Sequence, residues 1–318
     1  MILKKHRKKI IFLSSLIILP VFWQLRENKE VELQIGRSKK CTLLMPLKDR
    51  EALEYFFKYT IAYDSYAYTL FGSKPMSMLC YYKPMAAFGY YRPEGMSAFE
   101  MVVESSCPHN LRIHKGLRVW DKYKSYFENS PVLVTVEENP RWDEPQKLNP
   151  SFSVILIHKQ KFKETIDEHI DDFRSVLQRE DISGDTLLQE ISQKPLLKIL
   201  LQNHEGLIGT LFGYGRENAW MFQEREKGRN VSLIPAWGGE VNNFFRNFND
   251  SAWWWLGIFP KRAAEYVGYP SFAVNGDTVE TQELKKEYLR TREQIIQYYE
   301  GKDFLEATLA LFLEGPPT

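Results

Sequence analysis

The stretch HEGLIGTLFGYGRENAW, residues 204–220, gathers side chains whose types could do chemistry. His204 beside Glu205 could move a proton as an acid/base pair. Arg216, Glu217 and Asn218 could edge a ligand pocket, with the Arg216 guanidinium holding an anion. Gly209, Gly213 and Gly215 raise the question of a phosphate loop. Such a cradle needs glycines directly after a strand and opening a helix, so that unpaired N–H groups face the anion. Here the preceding KPLLKILLQNHE has helical character, and neither G-x-G-x-x-G nor G-x-x-x-x-G-K occurs. The competing reading is packing. Leu207, Leu211, Tyr214, Asn218 and Phe222 are spaced as on one helix, and Gly206, Gly209 and Gly213 would let a second helix come close. Each glycine costs roughly 1 kcal/mol of helix propensity, which close packing must offset. Arg216 and Glu217 then sit near a kink at Gly213–Gly215.

Other constellations are weaker. ETIDEHIDD places Glu164, Glu168, Asp171 and Asp172 with His169 on a helix, and Asp167 and Asp171 are four apart. Carboxylates with an imidazole can bind a metal. A solvated helix face accounts for them better, because the apolar stripe lies opposite. His109 and His114 stand in an expected loop near Cys107, poor chelating geometry without a third ligand. Cys41, Cys80 and Cys107 match no zinc spacing and are expected as buried free thiols, although Cys80 and Cys107 could pair in an oxidising compartment. No serine sits in a G-x-S-x-G elbow. WWWLGIFP, residues 253–260, could stack on a ligand or a membrane interface, with core burial as the default. Neither a metal nor a cofactor is expected, and no catalytic motif is present.

The elements that must position these residues follow from periodicity. From Asp49 onward, Leu53, Phe56, Phe57, Thr60, Ile61 and Tyr68 recur at helical spacing until the Gly72–Pro75 cluster. Residues 78–103 read as short strands and turns, GLRVWDKYKSYF as a helix, and VLVTVEE (132–138) and FSVILIHK (152–159) as strands bounded by prolines. Apolar residues at 162, 166, 170, 173, 176 and 177 predict a helix, and Ser183–Leu201 predicts one or two, punctuated by Pro195. Residues 228–240 read as a loop. Leu284, Tyr288, Ile295, Ile296 and Tyr299 lie along a long helix that Gly301 stops, and Asp303 caps a last helix, FLEATLALFL. The expected fold class is α+β, with a small antiparallel or mixed sheet region in the first half and a mainly helical second half. One α+β domain is expected over 41–318, sheet-rich over 41–160 and helix-rich over 161–318.

The N-terminus differs in kind. Lys4, Lys5, Arg7, Lys8 and Lys9 precede an uncharged run from Ile10 to Leu25. Sixteen residues lie near the lower limit of a spanning helix, about 17–25 residues. No small-residue cleavage pattern comes after it, and Trp23 suits the far interface. The segment 1–25 therefore reads as a basic cytoplasmic tail with a transmembrane signal-anchor helix, residues 26–40 as a juxtamembrane linker, and the bulk of the chain as extracytoplasmic. Secretion is the outcome if the segment is cleaved. Setting those five bases apart from the total of 42 Lys and Arg leaves 37 against 41 Asp and Glu, so the body gives no reason to expect nucleic acid binding.

Four phrases together, YAYTLFGSKPMS, VWDKYKSYF, GTLFGYGRENAW and ETQELKKEYLRTREQIIQYYEGKDFLEATL, resemble an uncharacterised family of anchored or exported proteins from chlamydia-like intracellular bacteria, over about residues 42–312. The resemblance implies a bacterial envelope or secreted context. It implies no activity and carries over no catalytic residue. Three functional readings are open. The first is a membrane-anchored protein that binds a partner or envelope component outside the cytosol. The second is a small-ligand binder or enzyme with a pocket near residues 204–218. The third is a soluble intracellular or host-delivered protein.

Overall fold

The strand Ser151–His158, SFSVILIH, organises the fold (β3). Its run Val154-Ile155-Leu156-Ile157 leaves no polar face, so the strand must be covered on both sides. All four residues are fully buried. In the computed structural model, which describes residues 41–63, 65–82, 108–138, 151–237 and 267–317, β3 is the centre of a three-stranded sheet. The edges are β1 (Met76–Tyr82) and β2 (Val132–Glu138), and both pair with β3 antiparallel.

Alternation along the strands sends residues to two cores. Leu79, Tyr81, Val132, Val154 and Leu156 face one core. It is completed by α1 (Leu47–Tyr63), α2 (Tyr66–Leu70), α3 (Pro108–Tyr123), and two C-terminal helices, Val279–Tyr299 and Phe304–Glu314. Met76, Ile155 and Ile157 face the other. That core is closed by α4 (Lys159–Glu168), α5 (Ile170–Leu177), α6 (Gly184–Glu190), a wide single turn over Leu196–Leu200 and α7 (Glu205–Leu211). Complete burial of one such aliphatic side chain contributes about 1.5–3 kcal/mol.

The remaining elements are α8 (Arg216–Glu226), a two-residue ribbon of β4 (Ile234–Pro235) with β5 (Ala273–Val274), α9 (Val279–Tyr299) and α10 (Phe304–Glu314). The ribbon falls partly in a stretch expected to be loop. Asp303 caps α10 through the N–H of Glu306, as its position predicts, and Gly301 comes just after α9 with φ +69°. The described part of the first half is less rich in sheet than expected: α1, α2 and α3 share it with the three strands.

Two expectations are corrected. His109 and His114 lie on α3, not in a loop, because Pro108 supplies a favourable first helical residue. Cys80 is an exposed thiol on edge strand β1, while Cys41 is half-buried. Cys107, the tryptophan run at 253–255 and the expected anchor at 10–25 lie outside the described residues. Among the described residues no helix is long and apolar enough to cross a membrane.

Candidate functional site

The segment that suggested one kinked helix forms two. Gly213 (φ +70°) and Gly215 (φ +81°) adopt the left-handed region that disfavours other residues, so α7 ends and the chain turns back into α8. The two helices then lie at close quarters. A Cβ placed on Gly209 would be 2.8 Å from the Ala219 Cβ, and one on Gly206 would be 3.3 Å from the Trp220 ring. Glycine here serves the approach of α8 to α7, and the periodicity of Leu207, Leu211, Tyr214, Asn218 and Phe222 does not extend through the turn. A neighbouring element fastens the turn: the Tyr288 hydroxyl, from α9, donates to the Gly213 carbonyl.

The first turn of α8 does present backbone N–H groups to an anion, and the anion belongs to the chain. The Glu280 carboxylate accepts from the N–H of Arg216 at 2.7 Å and of Glu217 at 3.0 Å. A helix N-terminus favours negative charge through its unpaired donors and its dipole. Glu280 lies in the first turn of α9, which Thr278 caps through the N–H of Thr281. The carboxylate is thus set where two helix N-termini meet. Thr281 joins the same junction, since the Asn218 amide donates to its hydroxyl at 3.0 Å and to the Tyr214 carbonyl at 3.0 Å. The closeness explains Gly215, where a Cβ would stand 2.7 Å from a Glu280 oxygen.

The other residues expected to form a site have internal roles. Arg216 forks onto Asp172, its Nε at 2.5 Å and an Nη at 2.9 Å from the two carboxylate oxygens, and Asp172 holds the guanidinium pKa up. The guanidinium also lies 5.6 Å from the Trp220 ring centre. The His204 ring is 5.2 Å from the same indole. His204 Nδ1 accepts from the Leu207 N–H at 3.3 Å and so caps α7, and burial, then the charge of Lys227, lowers its pKa. Glu205 is the first residue of α7, half-buried, and Glu217 is exposed on α8. The structure brings His204 and Arg216 onto one indole but commits the Nδ1 of one and the fork of the other to internal partners. Asn218 is buried, and its amide ties α8 to α9.

The acidic run at 164–172 divides in the same way. It does not lie on one helix, since α4 ends at Glu168 and α5 begins at Ile170, with His169 at the junction. Asp167 accepts from the Gly184 N–H at 2.8 Å, Glu164 takes the Gln160 amide and Asp172 takes Arg216. Among the described residues no group of three or more His, Cys, Asp or Glu is placed to hold a metal.

Glu280 and Glu137 escape a reading of the sequence. The Glu137 carboxylate is buried at the end of β2 and accepts from the N–H groups of Leu196 and, at 3.1 Å, Leu197. Glu137 and Glu280 act on segments some sixty residues away, which local spacing does not encode. The one available signal is Glu137 itself, an acid in the apolar strand pattern VLVTVEE. Comparison with protein-family models, with curated proteins and with solved structures gives no match.

Proposed function

We propose that the chain is a membrane-tethered bacterial envelope protein whose α+β body lies outside the cytosol and binds a protein partner or envelope component. The observation that carries this reading is the order of charge at the N-terminus: Lys4, Lys5, Arg7, Lys8 and Lys9, then the uncharged Ile10–Leu25. Positive residues stay on the cytoplasmic side of an apolar span, which sends the chain beyond Leu25 across the membrane. The likeness of the four phrases to anchored or exported proteins supports the same setting.

The internal pairing of residues 204–218 counts against an anion-binding catalytic site in that segment. A catalytic anion site needs donors, such as N–H groups or a guanidinium, presented to substrate. Here Glu280 occupies the N–H pair and Asp172 the guanidinium fork. The test is topological. The full chain, expressed in a bacterial host, stays with the membrane after alkaline carbonate extraction, and protease added to spheroplasts digests the body. Release by carbonate, or protection from that protease, overturns the reading in favour of a soluble or cytosolic protein.

A further inference from the structure

At the start of the fold, Leu43, Leu44 and Leu47 are 70%, 64% and 69% exposed within five residues, while Thr42 and Met45 beside them are buried. Leu43 and Leu44 end a helical stretch at residues 41–44, Leu47 opens α1 after Pro46, and the core does not account for their outward side chains. Their surroundings hold more bases than acids, although the Thr42 hydroxyl beside them donates to the Glu306 carboxylate at 3.1 Å. Lys48 is exposed beside them, and α3 packs along α1 with its C-terminal end at the same place. There Lys122 Nζ lies 2.8 Å from Asp49, and the Tyr123 hydroxyl donates to Asp49 at 3.1 Å.

The exposed side of α3 carries Leu111, Lys115, Arg118 and Lys122 at positions i, i+4, i+7 and i+11, the spacing of one helical face. Arg112 borders it, with its guanidinium 5.1 Å from the Tyr55 ring centre. Two acids lie near this face with partners of their own, Asp49 on Lys122 and Asp121 on Lys124, and Glu51 is exposed on α1. In the sequence directly before the patch stand Arg37, Lys39 and Lys40. Outward leucines rimmed by lysine and arginine match a surface that is apolar beneath and anionic at its headgroups.

We infer that Leu43, Leu44 and Leu47, with the basic face of α3, form a docking surface for an anionic lipid bilayer, so that the body lies against the membrane that tethers it. This rests on the anchor reading, which supplies the position. The linker 26–40 spans at most about 50 Å when extended and precedes residue 41, the first described residue, two residues before the patch. The apolar side chains reach the acyl boundary and the bases meet the headgroups, the latter contribution weakening with salt.

Lysine footprinting of the full chain on vesicles tests it. The chain is mixed with phosphatidylglycerol-rich or purely phosphatidylcholine vesicles, floated, and treated with an amine-acylating reagent. Lys48 and Lys115 are expected to react at least about fivefold more slowly on the anionic vesicles, while the exposed Lys198 and Lys286 react equally on both. The double substitution Leu44→Asp, Leu47→Asp, confined to side chains already in solvent, restores the reactivity of Lys115. Flotation separates the two readings. A chain that floats on both vesicles with equal reactivity at Lys48 and Lys115 keeps its anchor and overturns the docking surface. A chain that floats only on anionic vesicles, with those lysines protected, supports the surface and overturns the anchor. Flotation on neither overturns both, and protection of Lys48 and Lys115 by duplex DNA instead of vesicles overturns the lipid assignment.

Discussion

Glu280 bonds Arg216 through its backbone and not through its guanidinium: the carboxylate accepts from the Arg216 N–H at 2.7 Å, while the guanidinium pairs with Asp172. The distinction sets which substitution matters. Glu280 closes the N-terminus of α8 and joins α9 to it, so Glu280→Ala should destabilise the fold by about 1–2 kcal/mol, the range of a lost helix cap. Arg216→Ala removes an ion pair whose arginine is 46% exposed, and should cost less than about 1 kcal/mol. Urea unfolding of the two variants ranks them. A larger loss for Arg216→Ala contradicts the clasp.

Glu137 makes a second long-range cap, in a more buried place. Glu137→Leu leaves the N–H groups of Leu196 and Leu197 without their acceptor, and each buried unsatisfied donor costs about 1–3 kcal/mol. Hydrogen exchange should accelerate in the turn Leu196–Leu200 before the rest of that core opens. Unchanged protection across that turn in the variant removes the capping role.

Two histidines cap helices through a neutral ring. His158 Nδ1 accepts from the Lys161 N–H at 3.1 Å, and His204 Nδ1 from the Leu207 N–H at 3.3 Å. Burial is the first cause that lowers both pKa values below the usual 6.5. The unfolded chain therefore binds protons first as pH falls. Their contribution is whole above about pH 6.5 and is lost downward through that value until the folded rings titrate. Glu137 acts in the opposite sense, since burial raises its pKa. The comparison is accordingly made by difference. His158→Asn, which keeps a capping acceptor that does not titrate, should flatten the fall in melting temperature between pH 7 and pH 5 relative to the native chain. An identical slope in both excludes His158 as a contributor.

Local chemistry explains which parts are legible in the sequence. β3 shows itself because its short run is rich in β-branched residues and follows Pro150, and the cap at Asp303 because its acceptor serves a donor three residues on. The break at Gly213–Gly215 reads in the sequence only as a kink, because Leu207, Leu211, Tyr214 and Asn218 satisfy helical spacing on both sides of it. What breaks the helix there is the fit to Tyr288 and Glu280, which arrive from another element. The residues of segment 204–218 therefore stand out as unusual in the sequence. Their partners Glu280 and Thr281 do not, and Asp172 shows only as part of an acidic run, since distant pairings leave no local spacing.

The approach of α8 to α7 yields a prediction with its own rescue. In an open helix Gly209→Ala would stabilise by up to about 1 kcal/mol. Here the added methyl would stand 2.8 Å from the Ala219 Cβ and 3.3 Å from its Cα, too near for the backbone to absorb without separating the helices. Overpacking of this kind costs about 1–3 kcal/mol, so the net effect should be destabilising. Ala219→Gly alone should also destabilise, by lost helix propensity and a small void. Combined, the two exchange the methyl from one helix to the other, and the double variant should be more stable than the sum of the single losses predicts. A thermodynamic cycle of the four proteins measures that coupling. Simple additivity means that the two helices are not in contact at Gly209, and that the glycines of this segment must be explained some other way.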